Sequence, residues 1–142
     1  MNMLEMVLVL FAVVLFTTVA LNYNRLVWEQ ADYLINANKY LQCSHLSHSI
    51  LDEVDAFLFS KQLKFNDIKK KYNTERNVTL QHAGGTYSIS IHADDCDSLG
   101  VLLPEPKPNN LYALVTVETK TFGLRHPVTQ QRVYTKTDLN IK

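Results

Sequence analysis

A chain of 142 residues carrying 14 basic and 14 acidic side chains has room for one small domain, and its formal charge of zero offers no basic field for a nucleic acid. Apolar residues make up 46%, an ordinary share, but they are unevenly placed: Met6 to Leu21 holds no charge, Gly or Pro, and the remainder is mixed and polar. Cys43 and Cys96 lack the C-x-x-C spacing of a metal or redox motif; they are open to pairing in an oxidising compartment or to burial as two free thiols.

The N-terminal stretch decides the class. A secretory signal peptide opens with basic residues, whereas here Glu5 is the one charge before Arg25, and only Thr18-Val19-Ala20 resembles a cleavage site. A membrane anchor needs about 20 apolar residues, which Met1 to Leu21 supplies if Glu5 is accepted within it. A carboxylate at bilayer depth costs a few kcal/mol, so Glu5 asks for a partner. The orientation rule expects Lys or Arg before a span whose N-terminus is cytoplasmic, but the first basic residue, Arg25, follows it. A buried core helix is the fourth reading, and the rest of the chain is too small to enclose one.

Met1, Glu5 and the apolar run together resemble the mature N-terminus of a type IV pilin or type II secretion pseudopilin. The resemblance implies a basic leader removed by a prepilin peptidase, methylation of the new N-terminus, and a Glu5 carboxylate that neutralises the N-terminal amine of a neighbouring copy. Such a buried pair serves register more than stability, because desolvation offsets much of its attraction. Asn2 stands where the family commonly has Thr, and no Pro interrupts the helix near position 22. The implied protein is a structural subunit of a homo-oligomeric filament. It has no catalytic role, cofactor or metal; it resides in the inner membrane before assembly and in an extracellular pilus afterwards, served by a pilus assembly machinery. The alternatives are a single-pass anchor for a periplasmic binding or scaffolding domain, and a minor pseudopilin of a secretion system.

Gly and Pro are also absent from Asn22 to Ser60, where Val27, Ala31, Leu34, Cys43, Leu46, Ile50, Val54 and Phe57 recur at helical spacing. One helix from Asn2 to Phe59 is expected, roughly 85–90 Å long at about 1.5 Å per residue. Its first half is expected to meet other subunits and its second half to cover a sheet, with Asp32, Lys39, Gln42 and Asp55 outside the apolar stripe. The domain reading is 1–25 for the membrane or filament-core half and 26–142 for the globular part, with the amphipathic helix running to about 60. A connector over 61–76 is anchored by Leu63, Phe65 and Ile68, and its Lys69-Lys70-Lys71 cluster reads as solvated. Strands are expected at Asn77–Gln81 and Thr86–Ala93, turning at His82-Ala83-Gly84-Gly85, then at Leu111–Thr121 and Arg132–Ile141, with a turn-rich stretch around Pro104, Pro106 and Pro108. One helix followed by about four antiparallel strands is an α+β order.

Chemistry-bearing residues are sparse. His45, His48 and Asp52 share a helix at metal-ligand spacing, and Asp94, Asp95 and Asp97 offer oxygens suited to calcium. Solvated side chains are the default reading of both groups. Ser44, His45 and Asp52 are triad residue types on one helix, which supplies neither oxyanion hole nor cleft, and no Walker, nucleophile-elbow or dinucleotide motif occurs. Asn77-Val78-Thr79 matches a glycosylation acceptor. Tyr23, Trp28 and Tyr33 follow the apolar stretch where an interfacial aromatic belt lies.

Overall fold

The structure, a computed structural model, describes residues 2–80, 85–105 and 110–136. Helix α1 runs unbroken over Met3–Phe59, as expected where no Gly or Pro intervenes. Its start is fixed by half a capping box, in which the Asn2 backbone N–H donates to Glu5 Oε2 at 3.1 Å. Within the apolar stretch Thr17 and Thr18 return their hydroxyls to the carbonyls of Val13 and Val14, so neither is left unpaired in an apolar medium. The helix ends in a Schellman motif. Lys61 N–H donates to Leu58 O and Gln62 N–H to Phe57 O, both at 3.1 Å, with Lys61 at φ 58°, where Gly is the usual occupant.

The chain divides into two units, Met1–Asn38 and Lys39–Lys142. In the first, the described residues are helical apart from Asn2, and those from Met3 to Val19 are all exposed. In the second, the C-terminal part of α1 packs on a four-stranded antiparallel sheet, an α+β arrangement. A 3-10 turn at Phe65–Asp67 and a short helix α2 (Ile68–Tyr72) connect α1 to strands β1 (Thr74–Leu80), β2 (Gly85–Asp95), β3 (Tyr112–Thr121) and β4 (Val128–Thr135), in sheet order β1-β2-β3-β4. The expected connector anchors Leu63, Phe65 and Ile68 are buried.

Alternation sets the inner face of the central strands as expected. Tyr87, Ile89, Ile91 and Ala93 of β2 and Ala113, Val115, Val117 and Thr119 of β3 are buried. Ile50, Leu51, Val54 and Leu58 of α1 pack in the same core. The helical stripe is shifted from the expected one: Ser47, Leu51 and Leu58 are buried, while Leu46 and Phe57 lie partly buried at its margin.

Strand boundaries moved at the edges. β1 begins at Thr74, three residues early, and pairs with Ile91 of β2 there. β4 begins at Val128, opposite Thr119, so the connection expected over Phe122–Gln130 is a shorter turn. Its inner face is Val128, Gln130, Arg132 and Tyr134. The expected turn at 82–84, Gln81, the prolines at 106 and 108, Met1, and the end of the last strand beyond 136 lie outside the described residues.

Candidate functional site

The first element of the site is the apolar surface of α1. Every large apolar side chain from Met3 to Leu21 is exposed, and this stretch is long and apolar enough to cross a membrane by length and composition. Fully burying such side chains is worth about 1.5–3 kcal/mol each, so covering a dozen of them would contribute on the order of 20 kcal/mol. Glu5, at the mouth of this stretch, accepts the Asn2 N–H of its own chain. Met1, the other residue of the expected assembly pair, lies outside the described residues. Tyr23, Trp28 and Tyr33 are exposed on the same helix just beyond, and Arg25 pairs with Glu29 at 2.8 Å one turn on.

In the second unit α1 is clamped on both flanks. On one side Arg76 of β1 grips Glu53 through two contacts of 3.0 and 3.3 Å, and the Tyr72 hydroxyl donates to the same carboxylate at 3.4 Å. Burial, then the Glu53 charge, pushes the Tyr72 phenol up to about 12. On the other side Arg132 of β4 reaches Asp55 and, at 3.3 Å, Asp52. Beside it the Tyr134 hydroxyl donates to Leu51 O at 3.2 Å, and burial followed by the Asp55 charge raises its pKa. Between the flanks, Ser47 and Thr119 share a hydrogen bond of 2.8 Å where neither is exposed. Asp55, Lys39 and Gln42, expected outside the helical stripe, therefore all serve the seam: Asp55 through Arg132, Lys39 through Phe122 O at 3.0 Å, and Gln42 through the Tyr87 hydroxyl.

The lysine cluster is only partly solvated. Lys69 pairs with the buried Asp95, and the Lys71 ammonium sits 3.4 Å from the centre of the Phe57 ring.

Cys43 and Cys96 are free thiols, both buried, and the Cys43–Cys96 disulfide weighed from sequence is not formed. The reason is their placement on the sheet. Cys43 packs with Tyr87 near the start of β2, and Cys96 follows the end of that strand, about 30 Å away at roughly 3.3 Å per residue. A disulfide needs Cα atoms within about 7 Å. Burial pushes both thiol pKa values up.

The other sequence candidates are not brought together. His45 and His48 are exposed, Asp52 is taken by Arg132, and Ser44 accepts the Gln130 amide at 2.9 Å. Asp95 faces Lys69, Asp94 lies on the opposite face of β2, and Asp97 Oδ1 closes a turn by accepting the N–H groups of Leu99 and Val101. Among the described residues no three His, Cys, Asp or Glu side chains are grouped to hold a metal. Asn77 and Thr79 are exposed on β1, a strand paired along its length with β2.

Two surface features escaped the sequence reading. The segment after β2 doubles back through an antiparallel bridge between Cys96 and Leu102, and Gly100, at φ 79°, lies against Val133. Leu99, Val101 and Leu102 are exposed along this return, and Val133 beside it is partly so. At the β3–β4 turn, Phe122 is 95% exposed. The only sequence signals were a glycine in each segment and apolar residues in stretches that otherwise read as loops. Comparison with family models, with curated proteins and with solved structures finds no match to this chain.

Proposed function

We propose that this chain is a structural subunit of a type IV pilus-like extracellular filament, without catalytic activity. The observation that carries the reading is the Met6 to Leu21 surface, exposed on every side and continuous with the helix that supports the sheet. Apolar area of this size demands cover from outside the chain. An inner-membrane bilayer supplies it before assembly, and the same helix of neighbouring copies supplies it in the filament, with the α+β units outermost. The Asn2 contact of Glu5 is a resting arrangement that the N-terminal amine of another copy replaces on assembly. Processing by a prepilin peptidase, N-terminal methylation and a pilus assembly machinery belong to this proposal.

Electron microscopy of sheared surface material tests it. The native chain is expected in long filaments, and Glu5→Gln or Glu5→Ala chains are expected to be incorporated poorly. A native chain found only as a bilayer-bound monomer refutes the reading.

One observation favours a second reading, a single-pass anchor for a periplasmic binding or scaffolding domain. The Asn2 N–H already satisfies Glu5 within the chain, so the carboxylate has an explanation as a helix cap. Mass spectrometry of the N-terminus separates the two: a methylated Met1 supports the filament subunit and an unmodified or formylated one the anchor. A minor pseudopilin at a filament tip shares the first chemistry and differs in being absent along the filament length.

A further inference from the structure

The β3–β4 turn and the return after β2 form complementary ends of one sheet. Phe122 is carried on a turn that Leu124 N–H closes to Thr121 O at 3.3 Å, with Gly123 at φ 83° in the position that requires it. The Lys39 ammonium holds the Phe122 carbonyl at 3.0 Å and lies where any Cβ on Gly123 would stand, so the ring is presented by a braced turn. Besides Lys39, the residues flanking it in sequence include Lys120, Arg125 and His126, and no acid stands between Glu118 and the end of β4.

The opposite end has the reverse character. Leu99, Val101 and Leu102 are exposed on the return, whose Gly100 lies against Val133. Asp97 accepts the N–H groups of Leu99 and Val101, Asp94 is in register with Leu114 and through it with Val133, and Glu105 follows three residues after Leu102. Lys69 and Lys70 are engaged by Asp95 and Asp67. In sheet register, Val133 sits opposite Leu114, and β3 runs from there to Thr121 just before Phe122. That is about 25 Å at roughly 3.3 Å per residue. The ring and the patch of one molecule therefore cannot meet each other.

We propose that Phe122 of one copy seats on the Leu99–Val101–Leu102–Val133 patch of the next, a head-to-tail contact between outer units that rests on the filament reading. A ring bordered by cations meeting an apolar patch bordered by carboxylates is complementary in both respects. The contact joins two different surfaces, so it does not close on a pair but repeats, as a filament requires. A Phe side chain covers about 150–250 Å², far below the roughly 1,200 Å² of a stable free-standing interface. The contact thus holds only between copies already aligned by their helices, where the effective concentration is high.

The test is disulfide trapping in the full chain. Both positions are highly exposed, so Phe122→Cys and Leu99→Cys leave the fold intact. Oxidation of assembled material carrying both substitutions is expected to give a ladder of covalent multimers on a non-reducing gel, and neither substitution alone gives one. Filaments of native appearance that yield only monomer overturn this contact and leave the filament reading standing. If the native chain forms no filaments, that reading falls and the contact falls with it.

Discussion

Removing the Ser47 hydroxyl tests the seam between α1 and the sheet where it is driest. Ser47→Ala leaves the Thr119 hydroxyl without its 2.8 Å partner in a place that water does not reach. An unsatisfied buried hydroxyl costs about 1–3 kcal/mol, so a loss of about 1.5 kcal/mol is expected. Thr119→Val is milder, about 0.5–1 kcal/mol, because a helical serine can turn its hydroxyl to the carbonyl one turn back. The double variant replaces both polar groups with apolar ones of similar form. It should be no worse than Ser47→Ala alone, a coupling of about 1 kcal/mol. For a unit of this size 1 kcal/mol moves Tm by about 4–8 °C. The readout is thermal unfolding of the full chain in detergent micelles by near-UV circular dichroism, to which the buried Tyr72, Tyr87 and Tyr134 contribute. Strict additivity of the two losses refutes the reasoning.

Lys61→Gly should stabilise the second unit by about 0.5–1 kcal/mol, since a left-handed backbone costs a side-chain-bearing residue roughly 1–2 kcal/mol and glycine recovers most of it; urea unfolding checks this. Raising pH should weaken the fold from about pH 10, where an unfolded tyrosine starts to ionise, through about 12, where Tyr72 does so in the folded chain. The sign follows because the folded state holds the proton that the unfolded state has already released. Tyr72→Phe should remove part of that alkaline loss in the same melting assay and leave the slope near neutral pH unchanged. Both cysteines should resist a thiol reagent in the native chain, through burial and raised pKa, and both should react without prior reduction once denatured; a mass shift of fewer than two adducts would contradict the free thiols.

The main elements were legible because their signals were strong and local. The absence of Gly and Pro carried α1 to Phe59, and strict alternation marked the inner faces of β2 and β3. The edge strands were harder. β4 turns Gln130 and Arg132 inward beside Val128 and Tyr134, because the α1 surface facing it carries Ser44, Asp52 and Asp55; with polar residues on its buried side, the first part of the strand reads as loop and the strand is expected only from Arg132. β1 likewise faces α1 with Arg76, whose partner Glu53 is a helix away in sequence. The roles of Lys39 and of Phe122 depend on a contact across 83 positions that no local pattern encodes. The exposed apolar surface from Met6 to Leu21, by contrast, follows from composition alone.

The strand order has a kinetic consequence. Each strand pairs with its predecessor, so the sheet can grow hairpin by hairpin through short-range closures, the kind that form quickly. The slow step is then the docking of that sheet onto a helix made far earlier along the chain, where Tyr134 must find Leu51 across 83 positions. Until it does, both flanks of the helix, Glu53 on one and Asp52 and Asp55 on the other, stay hydrated, and the three carboxylates wait for the two arginines that only the finished sheet delivers.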